Sequence, residues 1–93
     1  MRFELLTAEL YLQYYNDKEV DKICSKLKGT AYENRISIVP QFVERSKVTE
    51  RNVFVDINSL EELKELSDIF RVRIIIDFDE EPPHIIIYDG YVE

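Results

Sequence analysis

Residues 58–93 read NSLEELKELSDIFRVRIIIDFDEEPPHIIIYDGYVE, and this stretch decides the fold. Asn58 and Ser59 stand three residues before Glu61 and Glu62. That is the spacing of a capping box, in which a side-chain oxygen and a carboxylate satisfy the free N–H groups of a helix start. Leu60, Leu63, Leu66 and Ile69 or Phe70 then recur at helical spacing, while Glu61, Glu62, Lys64, Glu65 and Asp68 occupy the other faces. The pattern predicts a helix over Ser59 to Phe70 with one apolar stripe laid on a sheet. The sheet follows at once. Val72 to Phe78 and His84 to Tyr88 are short apolar runs separated by the breaker Asp79-Glu80-Glu81-Pro82-Pro83, which is a β-hairpin pattern.

Upstream, Val53 to Ile57 reads as a short strand preceded by a mixed-charge connection, Glu44 to Asn52. Ala31 to Val43 reads as another strand. Pro40 cuts through it and cannot donate to a ladder, so this strand belongs at a sheet edge or bends at a bulge. Val20, Ile23, Cys24 and Leu27 mark a helix from about Lys18 to Lys28, with Asp17 as N-cap, Lys26 and Lys28 complementing the dipole, and Gly29 as the left-handed stop. Arg2 to Tyr15 fits neither period cleanly. A strand ending at the turn pair Asn16-Asp17 is the preferred reading, and a helix beginning at Thr7 is the alternative. The order is then β-α-β-β-α-β-β, an α+β chain. Its two β-α-β halves suggest a ferredoxin-like split β-α-β sandwich, an antiparallel sheet with both helices on one face. His84 to Tyr88 extends that sheet beside Val72 to Phe78.

At 93 residues and 45% apolar content, with eleven aromatics and only two Gly, the chain is expected to form one ordered domain over residues 1–93. Its one cysteine, Cys24, leaves no internal disulfide. No apolar run approaches the roughly 18 residues of a membrane span, and acids stand near the start where a signal peptide is apolar. The expectation is a cytoplasmic protein with no membrane association.

The net charge of −7 is unevenly divided. Residues 1–55 hold eight acids and nine bases, whereas residues 56–93 hold eleven acids and three bases. Such a field repels nucleic acid phosphates and favours basic protein surfaces, so a basic partner is expected and direct nucleic acid binding is not. A merely solvated acidic face is the bland alternative. The carboxylates concentrate at Asp77, Asp79, Glu80 and Glu81, with Asp89 and Glu93 beyond the last strand; Tyr88 and Tyr91 supply rigid contact area beside them. These eight residues are the candidate partner-binding set.

Hard cations take oxygen ligands of this kind, but the run has neither EF-hand spacing nor a glycine for the sharp loop turn. An acid and base pair would need one carboxyl buried with a raised pKa, and a hairpin tip is usually wet. His84 has no Ser, Cys or second His positioned by sequence to form a triad, and Gly29 and Gly90 are too isolated to cradle a phosphate. Cys24, on an apolar helix stripe, reads as a small buried hydrophobe. No catalytic residue, metal ligand or cofactor is therefore assigned, and a metal-assisted hydrolase is the most distant alternative. Ile85, Ile86 and Ile87 must point to both faces of a sheet, so one leaves the helix-covered side and needs another cover. Pairing of this last strand with a second copy, giving a homodimer, is the nearer alternative function.

The segment Ile57 to Leu66, the run Ile74-Ile75-Ile76-Asp77 and the ending Ile85-Ile86-Ile87-Tyr88-Asp89-Gly90-Tyr91-Val92-Glu93 together resemble small uncharacterised proteins of phages and mobile elements in low-GC Gram-positive bacteria. The resemblance covers about the last 37 residues and rests chiefly on Tyr-Asp-Gly-Tyr-Val-Glu. Proteins of this size and acidity include anti-CRISPR inhibitors, some of which mimic DNA. The resemblance thus implies an inhibitor that occupies the basic channel of a host nucleic acid enzyme; it assigns no role to any single residue.

Overall fold

A computed structural model describes residues 1–7, 17–45, 47–71 and 73–88. In chain order the elements are β1 (Arg2–Thr7), α1 (Asp17–Leu27), a 3-10 turn (Glu33–Arg35), β2 (Ile36–Val43), β3 (Val48–Asp56), α2 (Leu60–Phe70), β4 (Arg73–Asp77) and β5 (His84–Tyr88). The α+β expectation holds. One five-stranded sheet runs β2-β3-β1-β5-β4, and α1 and α2 contribute to one core on one of its faces.

The split is present on both sides. β3 lies between β1 and β2, which α1 connects, and β1 and β5 lie between β3 and β4, which α2 connects. Three of the four pairings are antiparallel; β1 and β5 are parallel, so the sheet is mixed. The cause is the placement of β5. It slots between β1 and β4 instead of extending the sheet beyond β4, with Leu5 opposite Ile85 and Thr7 opposite Ile87 on one side, and Ile74 opposite Ile87 and Ile76 opposite Ile85 on the other. The Glu4 N–H donates to the Pro83 carbonyl at 2.9 Å and fixes that register. Both ladders of β5 are thus occupied, and pairing of the last strand with a second copy has no edge to use. Among the described strands the edges are β2 and β4.

Alternation along the strands sorts the residues onto two faces. Phe3, Leu5, Val53, Val55, Ile85 and Ile87 point to the helix side and pack with Val20, Ile23, Leu27, Leu66 and Phe70. Ile86 points the other way, as three consecutive isoleucines require. It is covered all the same, only 3% exposed, in a row with Leu6 and Ile75.

At α2 the cap is built as expected: Ser59 Oγ accepts the Glu62 N–H at 3.3 Å, and Glu62 Oε1 accepts the Asn58 N–H at 2.7 Å. The stripe is narrower than the sequence suggests. Leu66 and Phe70 are buried and Leu63 is half-buried, but Leu60 is 81% exposed. Steps of three residues fall short of a full turn by about 60° each, so Leu60 sits about 120° around the helix from Leu66.

Two boundaries also move. β3 begins at Val48, because the chain has reversed by Lys47, which sits at φ 59° with its N–H donating to the Val43 carbonyl at 2.8 Å. The charged residues Glu50 and Arg51 therefore lie in a strand. Arg51 is held by Asp21 on α1, its guanidinium 2.8 Å from the carboxylate, and among the described residues this part of β3 pairs with β2. β2 begins at Ile36 and not near Ala31, since the chain first turns to bury Tyr32. Thr30 Oγ1 donates to the Leu27 carbonyl at 2.6 Å, and the Tyr32 hydroxyl donates to the Glu62 carbonyl at 3.4 Å. Burial, then the Glu65 and Glu62 carboxylates, push the Tyr32 phenol up to about 12, so it stays a donor. Of the ambiguous N-terminal stretch, Arg2–Thr7 is a strand; residues 8–16 lie outside the described residues.

Candidate functional site

The face of the sheet opposite α1 and α2 carries a polar row. Glu4 on β1 stands directly opposite His84 on β5, and His84 opposite Asp77 on β4. Glu4 Oε1 lies 3.6 Å from His84 Nε2, with the two side chains only 15% and 17% exposed. From β3, Asn52 Nδ2 donates to Glu4 Oε2 at 3.4 Å; Asn52 Oδ1 is buried and accepts no hydrogen bond among the described residues. Beside this row Arg2 stacks over the Phe54 ring, 4.1 Å from its centroid.

Burial pushes the Glu4 carboxyl above its ordinary range; His84 and the Asn52 amide oppose the shift, while Glu50 and Glu80 add to it. The folded state therefore disfavours ionised Glu4. The sign follows by linkage: the contribution to stability is fully present below the unfolded value of 4.5 and is lost as pH rises through the higher folded value. Glu4→Gln keeps an oxygen for Asn52 and removes the titration. Urea unfolding from about pH 4.5 upward should show stability declining less with pH in Glu4→Gln than in the parent; matching slopes would mean that Glu4 is solvated in the fold.

At 3.6 Å the carboxylate and the imidazole are in electrostatic contact but beyond hydrogen-bond reach. The one cysteine is not brought to them. Cys24 lies on α1, within the core layer on the other side of the sheet, where burial pushes its thiol up and Arg51 only partly offsets it. Among the described residues no group of three or more His, Cys, Asp and Glu side chains is arranged to hold a metal ion.

The sequence-derived set is divided by the fold. Asp77, Asp79, Glu80 and Glu81 do come together, at the end of β4 and in the β4–β5 turn. Asp77 Oδ1 accepts the Asp79 N–H at 2.9 Å, which shapes the turn, and Asp79, Glu80 and Glu81 are exposed. Phe78 projects among them, 65% exposed, with its ring edge-on to Phe3 at 6.5 Å between centroids. Tyr88 stands at the opposite end of β5, half-buried and opposite Arg73, about 13 Å along the strand from His84. It does not join the acidic turn. Asp89, Tyr91 and Glu93 lie outside the described residues.

Sequence reasoning missed Glu4 and Asn52. Glu4 is the one acid in the run Arg2–Thr7, and strand alternation sets it opposite in direction to Phe3 and Leu5. That signal was visible. Its meeting with His84 was not, because it depends on β5 entering the sheet beside β1. Comparison of the chain with protein-family models, with curated proteins and with solved structures found no match. No helix among the described residues is long and apolar enough to cross a membrane.

Proposed function

We propose that this chain is a small inhibitory binding protein that docks on the basic, nucleic-acid-binding surface of a host protein, its acidic turn standing where phosphates would lie. The observation that carries the reading is the β4–β5 turn. Asp79, Glu80 and Glu81 are held outward together on a hairpin whose second strand is paired on both sides, and Phe78 adds an exposed apolar contact among them. Anchored carboxylates lose little freedom on binding, and complementary charge steers a basic partner and fixes its register. An RNA-guided nuclease, with a positively charged channel for its heteroduplex, is a host protein of this kind. An origin in phages or mobile elements and anti-CRISPR action belong to this proposal, as does a place in the cytoplasm.

Affinity capture from a host lysate at low and then moderate salt, followed by competition with duplex DNA, tests it. A nucleic acid enzyme that DNA displaces from the chain is the expected result. Replacing Asp79, Glu80 and Glu81 with Asn, Gln and Gln should preserve the fold, since these side chains are exposed, and should slow association most at low ionic strength. If the captured partner binds parent and triple variant equally across that salt range, the turn is a solvated surface and the proposal fails.

A further inference from the structure

We infer that β4 is a self-association edge, pairing antiparallel with β4 of a second copy about a two-fold axis at Ile75. The strand reads Arg73-Ile74-Ile75-Ile76-Asp77, and no described strand pairs with its outer side. An axis at Ile75 sets Arg73 of each copy opposite Asp77 of the other, and Ile74 opposite Ile76. The basic end of one edge thus meets the acidic end of the other twice over.

Arg73, Ile75 and Asp77 share the face opposite α1 and α2, in register with Tyr88, Ile86 and His84. Two Arg–Asp pairs would therefore flank a contact between the two Ile75 side chains, each 45% exposed in the single chain. Asp77 already accepts from Asp79, but a carboxylate has room for several donors. The backbone suits this axis in either phase. If the groups of Arg73, Ile75 and Asp77 face outward, Ile75 pairs with its own copy; if those of Ile74 and Ile76 do, they pair with each other.

The other edge is less suited. β2 also exposes apolar side chains, Ile38, Val39 and Phe42, but Pro40 in its centre has no N–H to give, and the strand carries no charge to set a register. At five residues, the β4 ladder belongs to the small interfaces, below about 1,200 Å², so association should be weak and weakened further by salt.

Sedimentation velocity over a concentration series at low salt tests the inference. The parent should move from monomer toward dimer as concentration rises. Ile75→Lys, Arg73→Asp and Asp77→Arg, each with a parent-like circular dichroism spectrum, should associate about tenfold more weakly or worse, since each charge reversal turns two attractive pairs into repulsive ones. An equimolar mixture of Arg73→Asp and Asp77→Arg restores opposite charges at both positions and should dimerise where neither variant does alone. A parent that stays monomeric throughout overturns the inference, as does a parent-like Ile75→Lys or a mixture that fails to recover. Ile75→Lys leaves the acidic turn intact, so its loss of dimer and any loss of a basic partner are read separately.

Discussion

Leu66→Ala is expected to cost about 2–5 kcal/mol of folding stability, because Leu66 is 1% exposed in the core between α2 and the sheet and truncation there leaves a cavity. In a domain of this size such a loss lowers the midpoint of thermal unfolding by several degrees per kcal/mol. Leu60→Ala, six residues earlier on the same helix, should stay within about 0.5 kcal/mol of the parent, since Leu60 is 81% exposed. The contrast is the informative part. Paired denaturant titrations that gave the two variants similar losses would show that α2 is rotated on the sheet, with Leu60 as well as Leu66 facing the core.

Ile87→Lys is expected to leave no stable fold at all. Ile87 is 1% exposed, with β1 on one side and β4 on the other, so the ammonium would have no water and no partner there. Burying an unpaired charge costs several kcal/mol, comparable with the roughly 5–15 kcal/mol that holds a small domain together. Had this strand been an edge, the same change would have altered association and spared the fold. Ile75→Lys, one strand away, makes the control: it should fold with nearly parent stability because its side chain can reach solvent. Circular dichroism and amide exchange on the two variants decide the matter, and a well-ordered Ile87→Lys would place β5 outside the sheet interior.

The sequence made the elements legible and left their neighbours hidden. Ser59 and Glu62 announce a helix start through local chemistry, and Pro40 announces an edge because a missing N–H is a local fact too. Leu60 misled because an i, i+3, i+6 series looks like a stripe until the helical drift is counted. Glu50 and Arg51 misled because a charged side chain is tolerated in a strand where it has a partner, as Arg51 has Asp21 on α1, so polarity there does not report a loop. The position of β5 could not be read from its residues: Ile85, Ile86 and Ile87 suit an edge or an interior strand alike, and only the parallel pairing with β1 distinguishes them. The candidate site inherits this. The acidic turn is local and was visible; the Glu4–His84 pair is a product of topology.

The parallel seam between β1 and β5 has a consequence in time. Glu4 and His84, direct neighbours in the sheet, are 80 positions apart in the chain. On a ribosome, β1 emerges before its sheet neighbours, and its flank toward β5 must wait unpaired while α1, the β2–β3 hairpin and α2 are made. Contacts of such sequence separation close slowly, since most of the chain's freedom is lost before they form. Until His84–Tyr88 arrives, β1 presents an open flank to any other strand in reach, and a chaperone or a second nascent chain has that interval in which to take it.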